Sequence, residues 1–352
     1  MATTKIGKTK KYLWTRWTIW EYLPWWLANV PVYGMYSWFA LRARHLFFFS
    51  NVNPSIPLGG AVGESKSGIL ELVPERLKPR MVLADGMESF DRVFEKMQLA
   101  GLRFPVVAKP DVGERGFLVK KCTQAPELQE HLERYRVPFI IQEFLTLPVE
   151  MTVLFHRFPE TGRFGITSIC IKEFLSVEGD GQAPVRELMS RSPRAAFQLE
   201  RFQRDFPDLL EHIPGFGELI LLEPIGNHAR GTKFLNGNHL IDAALENTFR
   251  QICSELDGVL YGRFDLKCDS VDALRRGEFK VMELNGVFGE PAHVYDPSFW
   301  MWRAYRDFYR HWKILFELYR HQRRRGVLPT PHGEALRWVR QYFQYKNQLE
   351  SR

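Results

Sequence analysis

Short apolar runs alternate with amphipathic helical stretches along the chain from about residue 66 onward. The runs are bounded by polar or turn-forming residues, as buried β-strands are. The clearest of them lie at 106–108, 139–141, 151–155 and 166–171. From about residue 298, Trp, Tyr, Phe and Arg recur at helical spacing, which predicts a closing helical segment. This order predicts an α+β (α/β) catalytic body that ends in helices.

The pattern before this body is different, because residues 12–49 are rich in aromatic side chains and residues 22–41 carry no charge. Four residues that disfavour a continuous membrane helix interrupt this stretch: Pro24, Asn29, Pro31 and Gly34. Basic flanks on both sides also argue against a span, and the apolar part begins too late for a signal peptide. We favour an interfacial helical hairpin with Arg42 and Arg44 near anionic lipid. The alternative is a helical pair packed on the protein's own core.

Composition favours a packed globular protein, since 45% of the 352 residues are hydrophobic and 14% are aromatic. The four cysteines lack metal-ligand spacing and are expected to be buried reduced thiols: Cys122, Cys170, Cys253 and Cys268. The net charge is +7, with basic residues crowded at both ends of the chain. Basic clusters beside Trp and Tyr, without a nucleic-acid-binding module, predict an anionic membrane surface rather than nucleic acid as partner.

A candidate phosphate-binding loop lies in the segment 104–121, FPVVAKPDVGERGFLVKK. An apolar strand delivers Lys109, a loop with Gly113 and Gly116 follows, and a second strand runs to Lys121. Backbone N–H groups of such a loop can cover phosphate oxygens while the lysine offsets their charge. An ordinary glycine-containing hairpin with a surface lysine gives the same pattern, so the context has to decide.

A buried strand about thirty residues later runs directly into Gln142 and Glu143, and Glu150 opens the next strand. Gln142 or Glu143, together with the backbone of Phe144 and Leu145, suits an adenine amino group. Glu150 suits the ribose hydroxyls. A strand end exposed to water explains one of these carboxylates more readily than both.

Two further strands carry polar residues in the sequences YGRFDLKCD and FKVMELNGVFGEP. Strand alternation puts Arg263 with Asp265 on one face, and Glu283 with Asn285 on one face of the other strand. Three oxygen donors of this kind suit magnesium that is shared with phosphates, and Arg263 suits a transferring phosphoryl group. A structural salt-bridge cluster is the alternative.

Together these motifs resemble the ATP-grasp superfamily, most closely its D-alanine:D-alanine ligase-like branch. The resemblance covers about residues 62–297. It implies phosphate-binding lysines at Lys66 and Lys109, with a further lysine at Lys233 that Arg230 can join. It also implies a glycine loop from Asp111 to Gly116 and nucleotide contacts at Glu143 and Glu150. The implied metal ligands are Asp265, Glu283 and Asn285, with Arg263 as the catalytic arginine.

The implied fold is an ATP-grasp fold, with two α+β lobes that clamp ATP and two Mg²⁺ ions. We expect an aromatic, basic segment at 1–61, the ATP-grasp domain at 62–297 and a helical segment at 298–352. Two features depart from the branch. Residues 1–61 do not resemble its N-terminal substrate domain, and its Ser-Pro-Gly-Met stretch after the metal asparagine is replaced by GVFGEPAHVY.

The sequence thus predicts a ligase that activates a small-molecule or lipid-like carboxylate as an acylphosphate and joins it to an amine. Glu290 and His293 follow the metal strand closely enough to line the acceptor pocket, where His293 could accept the amine proton. The alternatives are an ATP-grasp small-molecule kinase and a membrane-associated ATP-binding sensor. The expected location is the cytoplasm, peripheral to the inner face of a membrane.

Overall fold

A computed structural model describes residues 28–113 and 116–350 of the chain. The first lobe is a four-stranded antiparallel sheet with two helices. Its elements are β1 (Met81–Ala84), α3 (Phe90–Leu99), β2 (Val106–Pro110), β3 (Lys120–Cys122), α4 (Ala125–Tyr135) and β4 (Phe139–Glu143). The strand order is β1-β4-β2-β3. Helices α3 and α4 bury Met97 and Leu128 against Phe139 of this sheet.

The second lobe is a five-stranded antiparallel sheet. Its strands are β5 (Val149–Phe158), β6 (Arg163–Glu173), β9 (Lys233–Asn236), β10 (Tyr261–Cys268) and β11 (Phe279–Asn285). The strand order is β11-β10-β5-β6-β9. The core of this lobe includes Phe155, Phe249 and Phe264, all fully buried. The helices of this lobe are α2 (Lys66–Glu71), α9 (Ala243–Ser254) and α10 (Val271–Arg275).

A small subdomain is inserted between β6 and β9 and has its own core around Met189, Phe202 and Leu210. It consists of β7 (Ser176–Glu178), α5 (Val185–Arg191), α6 (Pro193–Ala196), α7 (Leu199–Asp205), α8 (Pro207–Glu211) and β8 (Leu219–Leu221). Short 3₁₀ turns occur across the protein at Phe48–Asn51, Pro57–Gly59, Glu75–Leu77, Pro159–Thr161, His228–Arg230, Asn238–Leu240 and Ala292–Tyr295.

The described part of the aromatic segment packs on the protein itself. Helix α1 (Val30–Ala43) lies against helix α11 (Met301–Arg324), where the rings of Phe39 and Tyr309 are 5.6 Å apart. Phe48 and Phe49 are 0% and 3% exposed and belong to the same core. Burial of these rings explains the aromatic content without lipid. For residues 28–49 the structure thus shows packing on the protein's own core, and residues 12–27 lie outside the described residues.

The predicted contact with a membrane surface stays a prediction. Helix α1 exposes Val30, Trp38 and Leu41 on the side opposite its buried residues. Within the described ranges, no helix has both the length and the hydropathy that a membrane crossing requires.

The segments outside the predicted ATP-grasp domain are joined to it by hydrogen bonds. Asn53 donates to the carbonyl of Tyr261 at 2.8 Å, and its Oδ1 accepts from the N–H of Leu260 at 2.9 Å. The last described helix, α12 (His332–Glu350), contacts the first lobe and the segment that precedes α2. Trp338 donates to the carbonyl of Val62 at 2.8 Å, whereas Leu349 is buried in the core of the first lobe. The domain boundaries at 61 and 298 remain predictions, although the described residues on both sides of them share packed cores.

The predicted α+β class with two lobes is confirmed, and so is the burial of four free cysteines. The cleft between the two sheets is where the polar ends of β2, β4, β10 and β11 meet.

Candidate functional site

A cavity of about 1060 Å³ lies between the two lobes and helices α1, α11 and α12. This volume is slightly above the usual range for small-molecule sites. Most of the residues predicted for the site line it: Lys66, Lys109, Gly113, Gly116, Gln142, Glu143, Phe144, Leu145, Glu150, Arg263, Asp265, Glu283 and Asn285. Four predicted residues lie outside the lining of this cavity: Lys121, Arg230, Lys233 and His293.

Strand pairing brings the four residues of the predicted metal site together. In the register of β10 and β11, Arg263 lies opposite Asn285, and Asp265 lies opposite Glu283. Arg263 Nε donates to Asp265 Oδ1 at 3.0 Å, and Asn285 Nδ2 lies 3.3 Å from the same oxygen. Burial alone would raise the pKa of Asp265, but the charges of Arg263 and Lys172 outweigh it and lower that pKa to about 2. Asp265 is therefore an anion across the physiological range.

A β-bulge next to Asp265 shapes the contact between this strand pair and the first lobe. The register shifts between Asp265 and Leu266, so that Met282 has no partner in the ladder. The carbonyl of Met282 instead accepts a hydrogen bond from Lys109 Nζ at 2.8 Å. Bulges are common beside active sites because they redirect backbone and side-chain groups.

Two lysines from different elements converge on Glu283. Lys66 Nζ lies 3.2 Å from Glu283 Oε1 and also donates to the carbonyl of Gly113 in the glycine loop. Asp111 holds this arrangement, because its carbonyl accepts from the N–H of Lys66 at 2.9 Å. Burial would raise the pKa of Glu283, but the charges of Lys66 and Lys109 lower it overall. The cleft therefore contains ionised carboxylates that pair with lysines. A bound cation could replace the lysines as partners of the carboxylates, and phosphates could replace the carboxylates as partners of the lysines.

Gln142 supplies an unsatisfied donor inside the cleft. Its Oε1 lies 3.3 Å from Lys109 Nζ, whereas its Nε2 is buried with no hydrogen-bond partner among the residues that the structure describes. A buried amide donor without a partner costs free energy, and such atoms commonly serve a ligand. The first lobe thus has a hydrogen-bond donor, Gln142 Nε2, next to Lys109.

Glu143, predicted to contact adenine, lines the cavity and pairs with Arg80. Its Oε2 accepts from Arg80 Nε at 2.9 Å, and its Oε1 accepts from the N–H of Arg80 at 3.0 Å. The carboxylate thus joins β4 to Arg80, and its contact with adenine stays a prediction. Lys121 is also displaced from the predicted set, since its ammonium lies 4.1 Å from the centre of the Phe144 ring and outside the cavity lining.

Two buried lysines that the sequence analysis missed lie at the centre of the site. Lys172 Nζ contacts Glu150 Oε1 at 2.9 Å and Asp265 Oδ2 at 3.0 Å. Lys267 Nζ lies 3.5 Å from Glu150 Oε2. Burial would lower the pKa of Lys172, but the two carboxylates raise it overall. Glu150, predicted for ribose hydroxyls, is thus bound by both lysines.

Signals for both lysines were present in the sequence. Lys172 is the only charge in the run ITSICIK, and a lone charge in a buried strand requires a partner. Lys267 follows Asp265 by two positions, so strand alternation places it on the same face as Arg263 and Asp265.

Lys233 and Arg230, predicted to contact phosphate, lie outside the cavity lining and contact other groups of the chain. Lys233 lies at the sheet edge, 36% exposed in its side chain, with its ammonium 3.4 Å from Glu173. Arg230 Nη2 donates to the carbonyls of Gly116 and Val119 at 2.9 and 3.1 Å and so holds the glycine loop. Gly116 has a φ of +71°, and a Cβ there would lie 2.6 Å from the Asn227 side chain, so this position requires glycine.

His293, for which a catalytic role was predicted, is buried outside the cavity lining. It is 1% exposed, its Nδ1 lies 2.8 Å from Ser168 Oγ, and its Nε2 lies 3.1 Å from Asp307 Oδ2. Both ring nitrogens therefore have partners inside the protein. Glu290 does line the cavity, and its Oε2 accepts from the Tyr295 hydroxyl at 2.7 Å.

The donor set fits magnesium in its chemistry. Two carboxylates and one amide oxygen are hard oxygen ligands, and Mg²⁺ in nucleotide sites takes few protein ligands besides phosphates. Residues 28–113 and 116–350 contain no group of three or more His, Cys, Asp or Glu side chains placed to hold a metal ion by themselves. Asp265, Glu283 and Asn285 would therefore hold the ion jointly with phosphate oxygens.

The buried Lys109 predicts a pH-dependent nucleotide affinity. Burial lowers the pKa of Lys109 to about 8, despite the nearby charge of Glu283. Because phosphate binds the charged form, affinity should be highest below pH 8 and fall up to about tenfold per pH unit above it. Calorimetric titration with Mg-ADP from pH 7.5 to 9.5 measures this slope. The Lys109→Arg variant, whose side chain stays charged, should give a flat profile; a flat wild-type profile would contradict the assignment.

Comparison with known proteins gives only distant similarity. No family model matches the chain, and no curated protein is similar to it in sequence. Among solved structures, VanG D-Ala:D-Ser ligase from Enterococcus faecalis is 13% identical, with a TM-score of 0.42 over 72% of this chain. The chain spans 61% of the length of that protein.

Two further structures are similar at the same level. D-alanine–D-alanine ligase from Bacillus anthracis is 13% identical, with a TM-score of 0.41 over 74% of this chain and 68% of that one. A bifunctional glutathione synthetase from Pasteurella multocida is 14% identical, with a TM-score of 0.33 over 65% of this chain and 34% of that one. Such TM-scores support no inference about activity, so the functional assignment depends on the chain's own geometry.

Proposed function

We propose that this chain is an ATP-grasp ligase that uses Mg-ATP to activate a carboxylate as an acylphosphate and then joins it to an amine. One observation supports this most directly. A single cleft contains Lys66 and Lys109 together with Asp265, Glu283 and Asn285, so cations for phosphates and oxygen ligands for magnesium face each other.

The lysines of both lobes would bind the phosphates. Lys66 is joined to the glycine loop through Gly113, so it would hold that loop and a phosphate oxygen together. Lys109 and Gln142 would donate from the first lobe. Asp265, Glu283 and Asn285 would hold magnesium, which when bound offsets the negative charge of the phosphates.

Lys172 takes the place predicted for Lys233 in this proposal. Its ammonium is buried between Glu150 and Asp265, whereas Lys233 is exposed at the sheet edge. A fixed, buried cation acts more strongly on developing charge than an exposed one, because water does not screen it. Glu150 and Lys267 then orient Lys172 and border the nucleotide site.

Arg263 would serve both chemical steps. In the first, a carboxylate oxygen of the substrate bonds to the γ-phosphorus and ADP leaves with the electron pair. In the second, an amine nitrogen bonds to the acyl carbon, the amine loses a proton and phosphate leaves. Arg263 is partly buried and contacts Asp265 and the carbonyl oxygen of Glu290, where its guanidinium can stabilise negative charge on oxygen in each step. Glu290 would orient the incoming amine.

Hydroxylamine trapping tests the proposal. The full chain is incubated with Mg-ATP, hydroxylamine and single carboxylic acids, and ADP and hydroxamate are measured together. A ligase should form one hydroxamate for each ADP, because hydroxylamine replaces the amine on the activated acid. A phosphorylated acceptor without hydroxamate would instead support the kinase alternative, and nucleotide binding without ADP formation would support the sensor.

A further inference from the structure

The cavity continues beyond the charged residues into an apolar chamber. Its walls come from helix α1, the Phe48–Asn51 turn, the segment after β11, and helices α11 and α12. We define the apolar chamber by six lining residues: Tyr36, Phe49, Phe288, Phe308, Trp312 and Val339. The nucleotide residues and the chamber residues line one continuous space, so a molecule can extend from one to the other.

Four aromatic rings form a connected wall of the chamber. The ring centres of Tyr36 and Trp312 are 5.4 Å apart, and those of Phe49 and Phe288 are 5.0 Å apart. The circuit is closed by Tyr36 with Phe49 at 6.3 Å and by Phe288 with Trp312 at 6.4 Å. Rings that contact each other in a closed circuit are held in place, so the wall is a preformed apolar surface.

Two apolar side chains that are exposed in the structure lie in the wall of the cavity. Phe288 is 45% exposed and Phe343 is 52% exposed, and both line the cavity. Single exposed apolar residues are ordinary on a protein surface, but several that converge on one cavity indicate an apolar ligand.

Arg263 lies at the junction of the chamber and the nucleotide site. Its Nε donates to Asp265 at 3.0 Å on the nucleotide side, and its Nη1 donates to the carbonyl of Glu290 at 3.3 Å. Phe288 of the chamber is two residues before Glu290. At this junction the Arg263 guanidinium can bind the carboxylate of a ligand. The Phe288 ring next to it can contact the carbon chain attached to that carboxylate.

We infer that the chamber binds the hydrocarbon tail of a fatty carboxylic acid whose carboxylate is activated at Arg263. This inference rests on the proposed ligase function and names its acid substrate. It also explains the segment Gly286–Tyr295, where the sequence departs from the ligases that it resembles, because Phe288 and Glu290 of this segment form the junction. The tail contributes affinity through apolar burial, and the charged residues fix the reacting end.

A chain-length series tests the inference. Straight-chain acids of two to sixteen carbons are compared by hydroxamate formation with the full chain, Mg-ATP and hydroxylamine. We expect kcat/KM to rise up to about fourfold for each added methylene until the chamber is filled. Binding is measured independently with 11-(dansylamino)undecanoic acid, whose fluorescence rises in an apolar site, and with its displacement by unlabelled acids.

Two substitutions on helix α12 give a matched pair. Val339→Trp fills the chamber and should shift the preferred acid to a shorter chain, with at least a tenfold loss of kcat/KM for the longest good substrate. Leu336→Trp places the same side chain at a position that is 57% exposed and outside the cavity lining, and it should leave the series unchanged. Phe288→Ala, at a partly exposed position, should weaken the dansyl probe about tenfold.

The outcomes separate this inference from the proposed function. Hydroxamate from small polar acids only, or equal rates across the series, would overturn the fatty-acid inference and leave the ligase in place. A preference for long-chain amines with short acids would overturn it as well. Tight, Val339-dependent probe binding without any hydroxamate would instead support the chamber and refute the ligase.

Discussion

Glu283→Gln is expected to abolish ADP formation while the protein stays folded. Glutamine keeps the size of the side chain but removes the charge that faces Lys66 at 3.2 Å and that would bind magnesium. Two lysines, Lys66 and Lys109, would then face an uncharged group, and the phosphates would lose the shared cation. We expect kcat to fall at least about 10²–10³-fold, the scale of removing one charge-stabilising group.

The matched control is Glu278→Gln, the same chemical change at the turn before the same strand. Glu278 pairs with Arg276 at 2.6 Å, and both side chains are more than half exposed. Turnover of this variant should stay within twofold of the wild type. Circular dichroism and thermal unfolding confirm that both variants are folded. Wild-type turnover in Glu283→Gln would refute the magnesium assignment.

Lys172→Met is expected to give the largest loss of stability of any single substitution at the site. Methionine fills the space of the lysine stem but leaves Glu150 and Asp265 without their shared cation. Removing one partner of a buried ion pair typically costs about 3–5 kcal/mol. We expect the lower end, about 3 kcal/mol, because Lys267 still faces Glu150 and Arg263 still faces Asp265.

Denaturant unfolding with a two-state fit measures this loss. Lys233→Met is the control on the neighbouring strand β9, where both partners of the ion pair are over a third exposed, and it should cost no more than about 0.5 kcal/mol. Adding Glu150→Gln to Lys172→Met should recover part of the loss, since it removes one of the stranded charges. Equal effects of Lys172→Met and Lys233→Met would show that Lys172 has no special role.

The sequence was sufficient for the parts of the site that depend on local periodicity. Strand alternation correctly placed Arg263 with Asp265, and Glu283 with Asn285, because side-chain direction in a strand is fixed by position. The α+β class followed from the order of apolar runs, and the two lobes followed from the family resemblance. Lys109 and its loop were found because strand, lysine and glycines are contiguous.

Contacts between distant segments could not be predicted in this way. Lys233 was assigned from the resemblance, and Lys172 was not considered. The pairing of β5, β6 and β10 shows that Lys172 is the lysine that faces Asp265. Glu143 was assigned to adenine because nothing in the sequence indicates that Arg80 occupies its carboxylate. His293 was close to the metal strand along the chain, but the chain turns it to the far side, where it contacts Ser168.

The aromatic segment illustrates the same limit. Residues 28–49 have the composition of a membrane-facing element, because an internal core and a lipid layer both select large apolar side chains. What distinguishes them is the partner, and the partner here is helix α11, more than 250 residues away in sequence. No local pattern contains that information.

Helix α12 connects the chamber wall to the first lobe. Leu349 is buried in the core of the first lobe, Trp338 donates to the carbonyl of Val62, and Val339, next to Trp338, lines the chamber. Because one helix makes all three contacts, we expect a movement of the first lobe to change the position of Val339 as well. Entry of the proposed tail and closure over the proposed nucleotide would then be coupled.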